Sequence, residues 1–503
     1  MREGRQRLSV ALQIPGSARN SNDPEAYGYR NVVLGFLFLA YTLNFVDRSI
    51  IGIIGQSVKV DLLLSDAQLG LLGGLAFALL YTSVGIPIAR IAERANRVNL
   101  ISVSILVWSC CTALCGFAQN FLQLLIFRAG VGIGEAGLSP AAHSLISDYF
   151  EPWRRASALA IYALGIPVGA MVGAIAGGWI AQELSWRWAL MLVGLPGVLV
   201  AFAFRAFIRE PRRDREDQGD LPPTRISLHY ESAELWAVAR TLMGRWPTLN
   251  MILGVTVISF ADYGIGTFAA PYFIRQFGLD LATVGLIIGV VGGVSTGAGT
   301  LLDGVVSDWV SRRTLAAYGI IPAIGITTAA PMFMLAYTQD DWRWAAILLF
   351  LPGICSYLYL GPCFGVIQNV VEARRRATAT ALLLFVVNLI GLGAGPPFVG
   401  WLIDQLSSSS FDDLRSLGAL QAATAAFSIP ADGSFASICP GGVAPAGAVP
   451  GHVEACMHAS AHGTRQGILL TLLLYFWSAL HFFLASIGLE RMLREAQPVS
   501  AKI

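Results

Sequence analysis

Charged residues are scarce in this chain of 503 residues. Asp, Glu, Lys and Arg together make up 13% of the sequence, whereas soluble globular domains carry about 25%. Hydrophobic residues make up 55%, and the mean hydropathy is +0.61. This composition excludes an ordinary water-soluble protein and places the chain in the membrane class.

Signatures of enzymes are also missing. The sequence has no GxxxxGK[ST] phosphate loop, which disfavours an ATP-driven pump, and it has neither HExxH nor GxSxG. Its seven cysteines show no metal-ligand spacing, and the first 30 residues contain no apolar signal-peptide core. We therefore expect no enzymatic activity, cofactor, metal or cleaved signal peptide. A lipid-modifying membrane enzyme and a transport-inactive receptor or sensor remain minor alternatives.

Twelve apolar runs are long enough to cross a hydrocarbon core about 30 Å thick. They predict an all-α integral membrane fold with two pseudo-symmetric bundles of six helices, separated by a charged linker. The predicted spans are 31–54, 67–91, 98–118, 121–149, 154–182, 186–208, 247–275, 282–306, 313–337, 342–371, 376–404 and 465–490.

Arginines in the short loops predict the orientation, because cytoplasmic loops carry the excess of Lys and Arg. They concentrate in the N-terminal tail, the linker and the loops on the same side, which places both termini and the linker in the cytoplasm. The linker also contains an amphipathic segment, 232–246, that we expect to lie on the membrane surface. The predicted regions are a tail 1–30, a first bundle 31–208, a linker 209–246, a second bundle 247–493 with an outer insertion 405–464, and a tail 494–503.

A short charged motif occurs once in each half, as ARIAERANR after the second span and GVVSDWVSRR after the eighth. Each copy places a small residue four positions before an acid and a basic residue four positions after it. Such an acid can cap a neighbouring helix or pair with an arginine, so we expect a cytoplasmic gate; plain charge anchoring is the alternative. The gate positions are Ala89, Glu93, Arg94 and Arg97 in the first half and Gly304, Asp308 and Arg312 in the second.

Glycines recur every four residues in the fifth and eighth spans. This spacing places each set on one helix face, where small residues allow close contact between membrane helices. The positions are Gly165, Gly169, Gly173 and Gly177, and Gly285, Gly289, Gly293 and Gly297. Shorter pairs occur in the second and eleventh spans.

Three further stretches are NFVDRSI in the first span, RAGVGIGEAGLSPAAHSLISDYF in the fourth and NLIGLGAGPPFVGWLID in the eleventh. With the features above, they resemble the spinster branch of the major facilitator superfamily. The resemblance covers nearly the whole chain. It implies that spans five and eight pack together, as do two and eleven, so that the glycine runs would line moving helix pairs. Ala89 and Glu93 depart from the glycine and aspartate that the superfamily favours, and the insertion 405–464 has no counterpart.

The stretch RAGVGIGEAG in the fourth span contains two opposite charges, Arg128 and Glu135. Seven residues are about two helical turns, so both project from one face, and Asp47 and Arg48 lie at similar depth in the first span. A charge in the membrane normally faces a partner or a cavity. Depth favours Asp47 with Arg128, which leaves Arg48 and Glu135 to the cavity or to each other. The resemblance implies proton coupling by the carboxylates and head-group or gating contacts by the arginines; a fixed structural network is the alternative.

The second half offers fewer charges and more aromatic residues. We expect Asp262, Tyr263, Tyr357 and Asn388 to line a cavity that is charged on one wall and apolar on the other. Cys439 and Cys456 lie in the predicted outer insertion, where a disulfide is expected and two free thiols are the alternative. His143 and His481 are expected to be packing residues.

We therefore predict a secondary active transporter that moves an amphipathic substrate by alternating access coupled to protons. The resemblance implies lysophospholipids or sphingoid phosphates as substrates. An organic-anion or drug proton antiporter is the alternative. The expected partners are protons, this substrate and membrane lipids, without nucleic acid; the expected state is a monomer, and the expected location is a bacterial inner membrane.

Overall fold

The fold is described from a computed structural model that covers residues 24–211, 228–372, 375–421 and 433–496. Every regular element in these ranges is a helix, and twelve helices are long and apolar enough to cross a membrane. The fold class predicted from the sequence is therefore confirmed. We number these helices as spans 1 to 12.

In the first half, side chains at the start of several spans cap the exposed backbone N–H groups, as Ser, Asn and Asp residues commonly do. Ser65 forms a capping box with Gln68, and Asn96, Asn120 and Ser185 cap spans 3, 4 and 6. The helices are Pro24–Asp61 (span 1), Asp66–Gly73 and Leu75–Arg94 (span 2), Arg97–Cys115 (span 3), Phe121–Glu135 and Leu138–Tyr149 (span 4), Pro152–Ala163 and Gly165–Glu183 (span 5), and Trp186–Phe207 (span 6).

The second half repeats this order after a linker helix, Leu228–Met243. Spans 8 and 11 each contain a widened π-helical segment within a glycine-rich stretch, a local distortion that is frequent at functional sites. The helices are Trp246–Phe277 (span 7), Leu281–Ile287, Ile288–Gly292 and Gly293–Ser311 (span 8), Ala317–Tyr337 (span 9), Trp342–Leu348, Phe350–Ser356 and Leu360–Val370 (span 10), Arg376–Val386, Val387–Ala394 and Gly395–Gln421 (span 11), and Pro450–Ser486 (span 12).

Helices extend into the predicted insertion 405–464 from both sides. Span 11 continues to Gln421, and span 12 begins at Pro450. The hydropathy of the sequence marks where the apolar stretch ends, but a helix can continue through polar residues beyond it. We call the end of the bundle that carries residues 433–449 the insertion end, and the opposite end the linker end.

The glycine run of span 5 packs against span 1, not against span 8 as we expected. A Cβ atom at Gly169 or Gly173 would lie 2.3 Å from the Thr42 carbonyl oxygen or 2.7 Å from that of Val46. Span 5 also contacts span 8, but it does so through a different helix face from the one that carries the four glycines. That face contacts the glycines of span 8 through Pro167, Met171, Ala174 and Gly178.

The second close pair across the halves joins spans 2 and 11. A Cβ atom at Gly70 would lie 2.2 Å from the Pro396 carbonyl oxygen, and one at Gly74 would lie 2.5 Å from that of Leu392. Gly395 of span 11 instead packs against Phe260 of span 7. The pairs of spans 1 and 5 and spans 7 and 11 therefore repeat one another, as expected for two related halves.

Candidate functional site

The first charged pair of the site joins span 1 to span 4. Arg128 Nη1 lies 3.3 Å from Asp47 Oδ1, and both side chains are buried. The hydroxyl of Thr112, in span 3, donates a hydrogen bond to Asp47 Oδ2. The depth of the two residues in their spans predicted the pairing of Asp47 with Arg128. The contact of Thr112 was not predicted, although a hydroxyl in a mostly apolar span was the available signal.

The second pair is formed by Arg48 and Glu135, with 2.6 Å between Nε and Oε2. The Glu135 side chain is fully buried, whereas that of Arg48 is 23% exposed and lies near Tyr263 of span 7. Arg48 therefore lies close to the second half. Its guanidinium also lies 4.7–5.1 Å from the ring centres of Phe45, Phe77 and Tyr81. Each such contact contributes about 0.5–2 kcal/mol.

Helix geometry explains why the four charges separate into two pairs. Asp47 and Arg48 are consecutive, so they point about 100° apart around span 1 and reach different partners. Among the described residues, Glu135 Oε1 and Arg128 Nε are buried without a hydrogen-bond partner. Most buried polar atoms are satisfied, so the site leaves one oxygen available for a proton and one donor available for an acceptor.

A buried charge cluster joins the two halves at the insertion end. The Asp66 carboxylate lies 2.7 Å from Lys59 Nζ and 2.6 Å from Nη2 of Arg275 in span 7. Arg275 also donates to Gln56 and to Thr464, each over 2.8 Å. This cluster could not be predicted from the sequence, because its members are far apart in the chain.

A helix cap strengthens the same closure. Asp404 of span 11 accepts hydrogen bonds from the backbone N–H groups of Asp66 and Ala67, both over 2.9 Å. These groups begin span 2, where a negative charge is favoured. The hydrogen bonds and ion pairs of Asp66 and Asp404 thus close the insertion end between the two halves.

The predicted gate at the linker end is only partly described. Arg97 is buried and binds Asp148 of span 4 over 2.6 Å and Glu210, at the start of the linker, over 2.7 Å. Gly304 has open space around it, and Arg312 is exposed. The side chains of Ala89, Glu93, Arg94 and Asp308 lie outside the described residues.

The second half brings only part of the predicted cavity set together. The Tyr475 hydroxyl of span 12 donates a hydrogen bond to Asp262, and Tyr263 is 42% exposed. Tyr357 is half-buried and stacks on Tyr359 with 6.4 Å between ring centres. Asn388 is half-buried, and its amide donates to the carbonyl of Leu384 one helical turn away.

Both histidines noted in the sequence contact a side chain of a neighbouring helix. His143 lies edge-to-face against Tyr162, with 5.6 Å between ring centres. His481 Nδ1 lies 2.9 Å from the Asn250 side-chain oxygen.

A disulfide-linked turn covers part of the insertion end. Cys439 and Cys456 are bonded, with their Cα atoms 5.7 Å apart. The turn from Cys439 to Gly442, which we call the cap, lies on the end of span 1: a Cβ atom at Gly442 would lie 3.2 Å from Lys59 Nζ. The cap therefore covers one member of the buried charge cluster.

The fold has two related six-helix halves with close glycine contacts between them, and buried charges lie near the space between the halves. This combination is typical of a membrane transporter built from repeats. The chain belongs to the major facilitator superfamily: the Major Facilitator Superfamily profile matches residues 37–396 and 251–489.

Similarity to known proteins supports the spinster resemblance. The fold is similar to the crystal structure of a bacterial homolog of the human lysosomal transporter Spinster in an inward-facing, unoccupied conformation, with a TM-score of 0.76, 33% identity, and coverage of 96% of this chain and 99% of that chain. An MFS-type efflux pump of Mycolicibacterium smegmatis is 30% identical over 80% of this chain and 91% of its own length. The sphingosine-1-phosphate transporter SPNS2 of Danio rerio is 26% identical over 75% of this chain and 77% of its own length.

Proposed function

We propose that this protein is a proton-coupled secondary transporter of an amphipathic, lipid-like substrate in the lysophospholipid or sphingoid phosphate class. The observation that carries the proposal is the pair of Arg48 and Glu135. It combines a fully buried carboxylate with a partly exposed guanidinium that lies near Tyr263 of the second half. A guanidinium binds phosphate and carboxylate groups in the same two-pronged geometry.

Competition for Arg48 provides the coupling. An anionic or zwitterionic head group that binds Arg48 withdraws the guanidinium from Glu135. The buried carboxylate then lacks its countercharge, which is costly in a desolvated site, and it takes up a proton. Release of that proton restores the pair and expels the head group, so the movements of proton and substrate are linked. Asp47, held by Arg128 and Thr112, is the second coupling carboxylate in this proposal.

Alternating access requires the insertion end to open and close. The cluster of Lys59, Asp66 and Arg275, supported by Asp404, is the closed gate at that end. The repeated motif around Glu93 and Asp308 is the proposed gate at the linker end. We place the insertion end outside and both termini in the cytoplasm of a bacterial inner membrane, with the monomer as the working unit; the arginine-rich loops support this orientation.

The walls of the space between the halves favour an amphipathic substrate. Arg48 supplies a positive group on the first-half side, whereas Tyr263 and Tyr357 present aromatic surface on the other. An acyl or sphingoid chain can lie against such a surface while its head group binds Arg48. The named activity of the SPNS2 relative supports the same substrate class.

An organic-anion or drug proton antiporter is the second candidate. The 30% identity to an MFS-type efflux pump favours it, and Arg48 would bind a small anion equally well. The two candidates differ in their dependence on the substrate tail. Lipid transport requires that affinity rise with chain length, because each buried CH₂ contributes about 0.8 kcal/mol.

Transport by the purified protein in proteoliposomes tests the proposal. A series of lysophospholipids with increasing acyl length is compared with hydrophilic organic anions, with and without an imposed pH gradient. The expected result is uptake of the lysophospholipids that depends on tail length and changes with the gradient. Transport of small anions alone would support the second candidate. Equal transport rates with and without the pH gradient would exclude proton coupling.

A further inference from the structure

Asp262 is a carboxylate in the middle of span 7 that the proposed coupling mechanism does not use. Its Oδ1 accepts a hydrogen bond from the Tyr475 hydroxyl of span 12. Its Oδ2 is buried, and within the described ranges it has no hydrogen-bond partner. The ion pairs found in those ranges do not include Asp262 either. An ionised carboxylate in this position would be buried with one hydrogen bond and no countercharge.

The titratable groups found near Asp262 in the described ranges are tyrosines. They come from its own helix and from spans 9, 10 and 12, and they are Tyr263, Tyr337, Tyr357, Tyr359 and Tyr475. Arg48 lies near Tyr263, but in the part of the chain that the structure describes no cation pairs with Asp262 itself. Without a cation, the carboxyl group avoids the desolvation cost of a buried charge by holding a proton.

Asp262 is also the counterpart of Asp47 in the other half. Span 1 and span 7 are the first helices of their halves. Asp47 lies fourteen residues before the end of span 1 at Asp61, and Asp262 lies fifteen before the end of span 7 at Phe277. The two helices approach each other close to these residues, since a Cβ atom at Gly52 would lie 3.8 Å from the Gly266 carbonyl oxygen. Each half therefore carries one acid at a similar depth of its first helix.

We propose that Asp262 is a further proton-binding site, located in the second half and separate from the pairs formed by Asp47 and Glu135. The proton is bound by Oδ2, the oxygen without a partner, while Oδ1 continues to accept from Tyr475. No other atom changes its bonding: a proton from water adds to the carboxylate and leaves again as the carboxyl group ionises.

The proton on Asp262 sets the charge of the second-half wall. With the proton bound, this wall is neutral, which suits a hydrocarbon tail. Without it, a negative charge lies behind Tyr263 and Tyr357 and disfavours the tail. This part of the inference rests on the proposed lipid substrate, whereas proton binding by Asp262 does not.

Infrared difference spectroscopy of the full-length protein in detergent, without substrate, tests proton binding directly. The carbonyl stretch of a protonated carboxyl group should lose one component in Asp262→Asn and shift in Tyr475→Phe, which removes the hydrogen bond but keeps the acid. Tyr337→Phe removes a hydroxyl from the same group of tyrosines and should leave the band unchanged. An Asp262→Asn spectrum that instead loses only an ionised-carboxylate band at neutral pH would overturn the proposal.

Binding of a fluorescent lysophospholipid as a function of pH tests the effect on the wall. Wild-type affinity should fall by about tenfold or more, equivalent to about 1.4 kcal/mol, as Asp262 ionises at high pH. Asp262→Asn should lose less affinity across the same range, because only the fall caused by deprotonation of Glu135 remains. Equal pH profiles would overturn the wall effect. No binding by either protein would count against the lipid substrate, while the infrared result would still decide whether Asp262 binds a proton.

Discussion

Arg48 and Glu135 lie 87 positions apart in the chain, yet Arg48 Nε lies 2.6 Å from Glu135 Oε2. The pair is asymmetric, because the arginine is 23% exposed and the glutamate is fully buried. A ligand can therefore approach the cation without first displacing the acid. This asymmetry distinguishes the pair from that of Asp47 and Arg128, in which both side chains are buried.

Glu135→Gln should abolish coupling without abolishing binding. The amide cannot exchange a proton, but it fills nearly the same volume and leaves Arg48 among its three aromatic rings. We expect gradient-driven uptake to fall more than about tenfold, equivalent to about 1.4 kcal/mol, while exchange of substrate without a gradient continues. Flux of a labelled lysophospholipid under both conditions measures this difference. Arg48→Ala is the matched variant, since it should reduce both kinds of flux; retained gradient-driven uptake in Glu135→Gln would contradict the coupling role.

Removal of the Asp47 carboxylate should separate a structural effect from a coupling effect. Asp47→Ala leaves Arg128 buried without its countercharge, which costs about 3–5 kcal/mol, so thermal unfolding should shift to a clearly lower temperature. Asp47→Asn also removes the charge, but its side-chain oxygen can still accept a hydrogen bond, so it should insert and be destabilised less than Asp47→Ala while losing proton-dependent transport. Gradient-driven transport at the wild-type rate in both Asp47→Asn and Glu135→Gln would eliminate these two acids as coupling groups.

Features that depend on a single stretch of sequence could be predicted, whereas contacts between distant stretches could not. Hydropathy located the twelve spans, and the helical repeat placed Arg128 and Glu135 on one face. The contacts of Lys59 with Asp66 and Arg275 could not be predicted, because they require knowing which helix ends meet after folding. The same limit applies to the glycines of span 5: their spacing defines a face but not the partner of that face, which proved to be span 1.

Asp66→Asn should loosen the closed insertion end. The substitution removes the charge that attracts both Lys59 and Arg275 across the two halves. We expect faster labelling of a cysteine introduced at Gly52 by a membrane-impermeant thiol reagent added from the insertion side, in a protein whose free cysteines have been replaced. Asp61→Asn is the control, because Asp61 pairs with Arg187 at the same end but within the first half. Equal labelling of all three proteins would mean that the cluster is not a gate.

The cap should contribute to the same gate through the fit of Gly441. This residue has φ +68°, and a Cβ atom there would lie 3.1 Å from the Lys59 carbonyl oxygen and 3.3 Å from the Val60 Cα. Gly447 has a similar positive φ, +83°, but open space around it. Both Gly441→Ala and Gly447→Ala therefore incur the backbone strain of a left-handed conformation, about 1–2 kcal/mol, and only Gly441→Ala also lifts the cap from span 1.

Comparison of these two alanine variants isolates the contact from the strain. Gly441→Ala should increase labelling of the cysteine at Gly52 from the insertion side, whereas Gly447→Ala should not. Replacing both Cys439 and Cys456 by serine should act in the same direction as Gly441→Ala, because the disulfide holds the cap to span 12, and it should also lower the temperature of unfolding. If Gly441→Ala and Gly447→Ala gave the same labelling rate, contact between the cap and Lys59 would not affect opening, and the gate would depend on the buried charges alone.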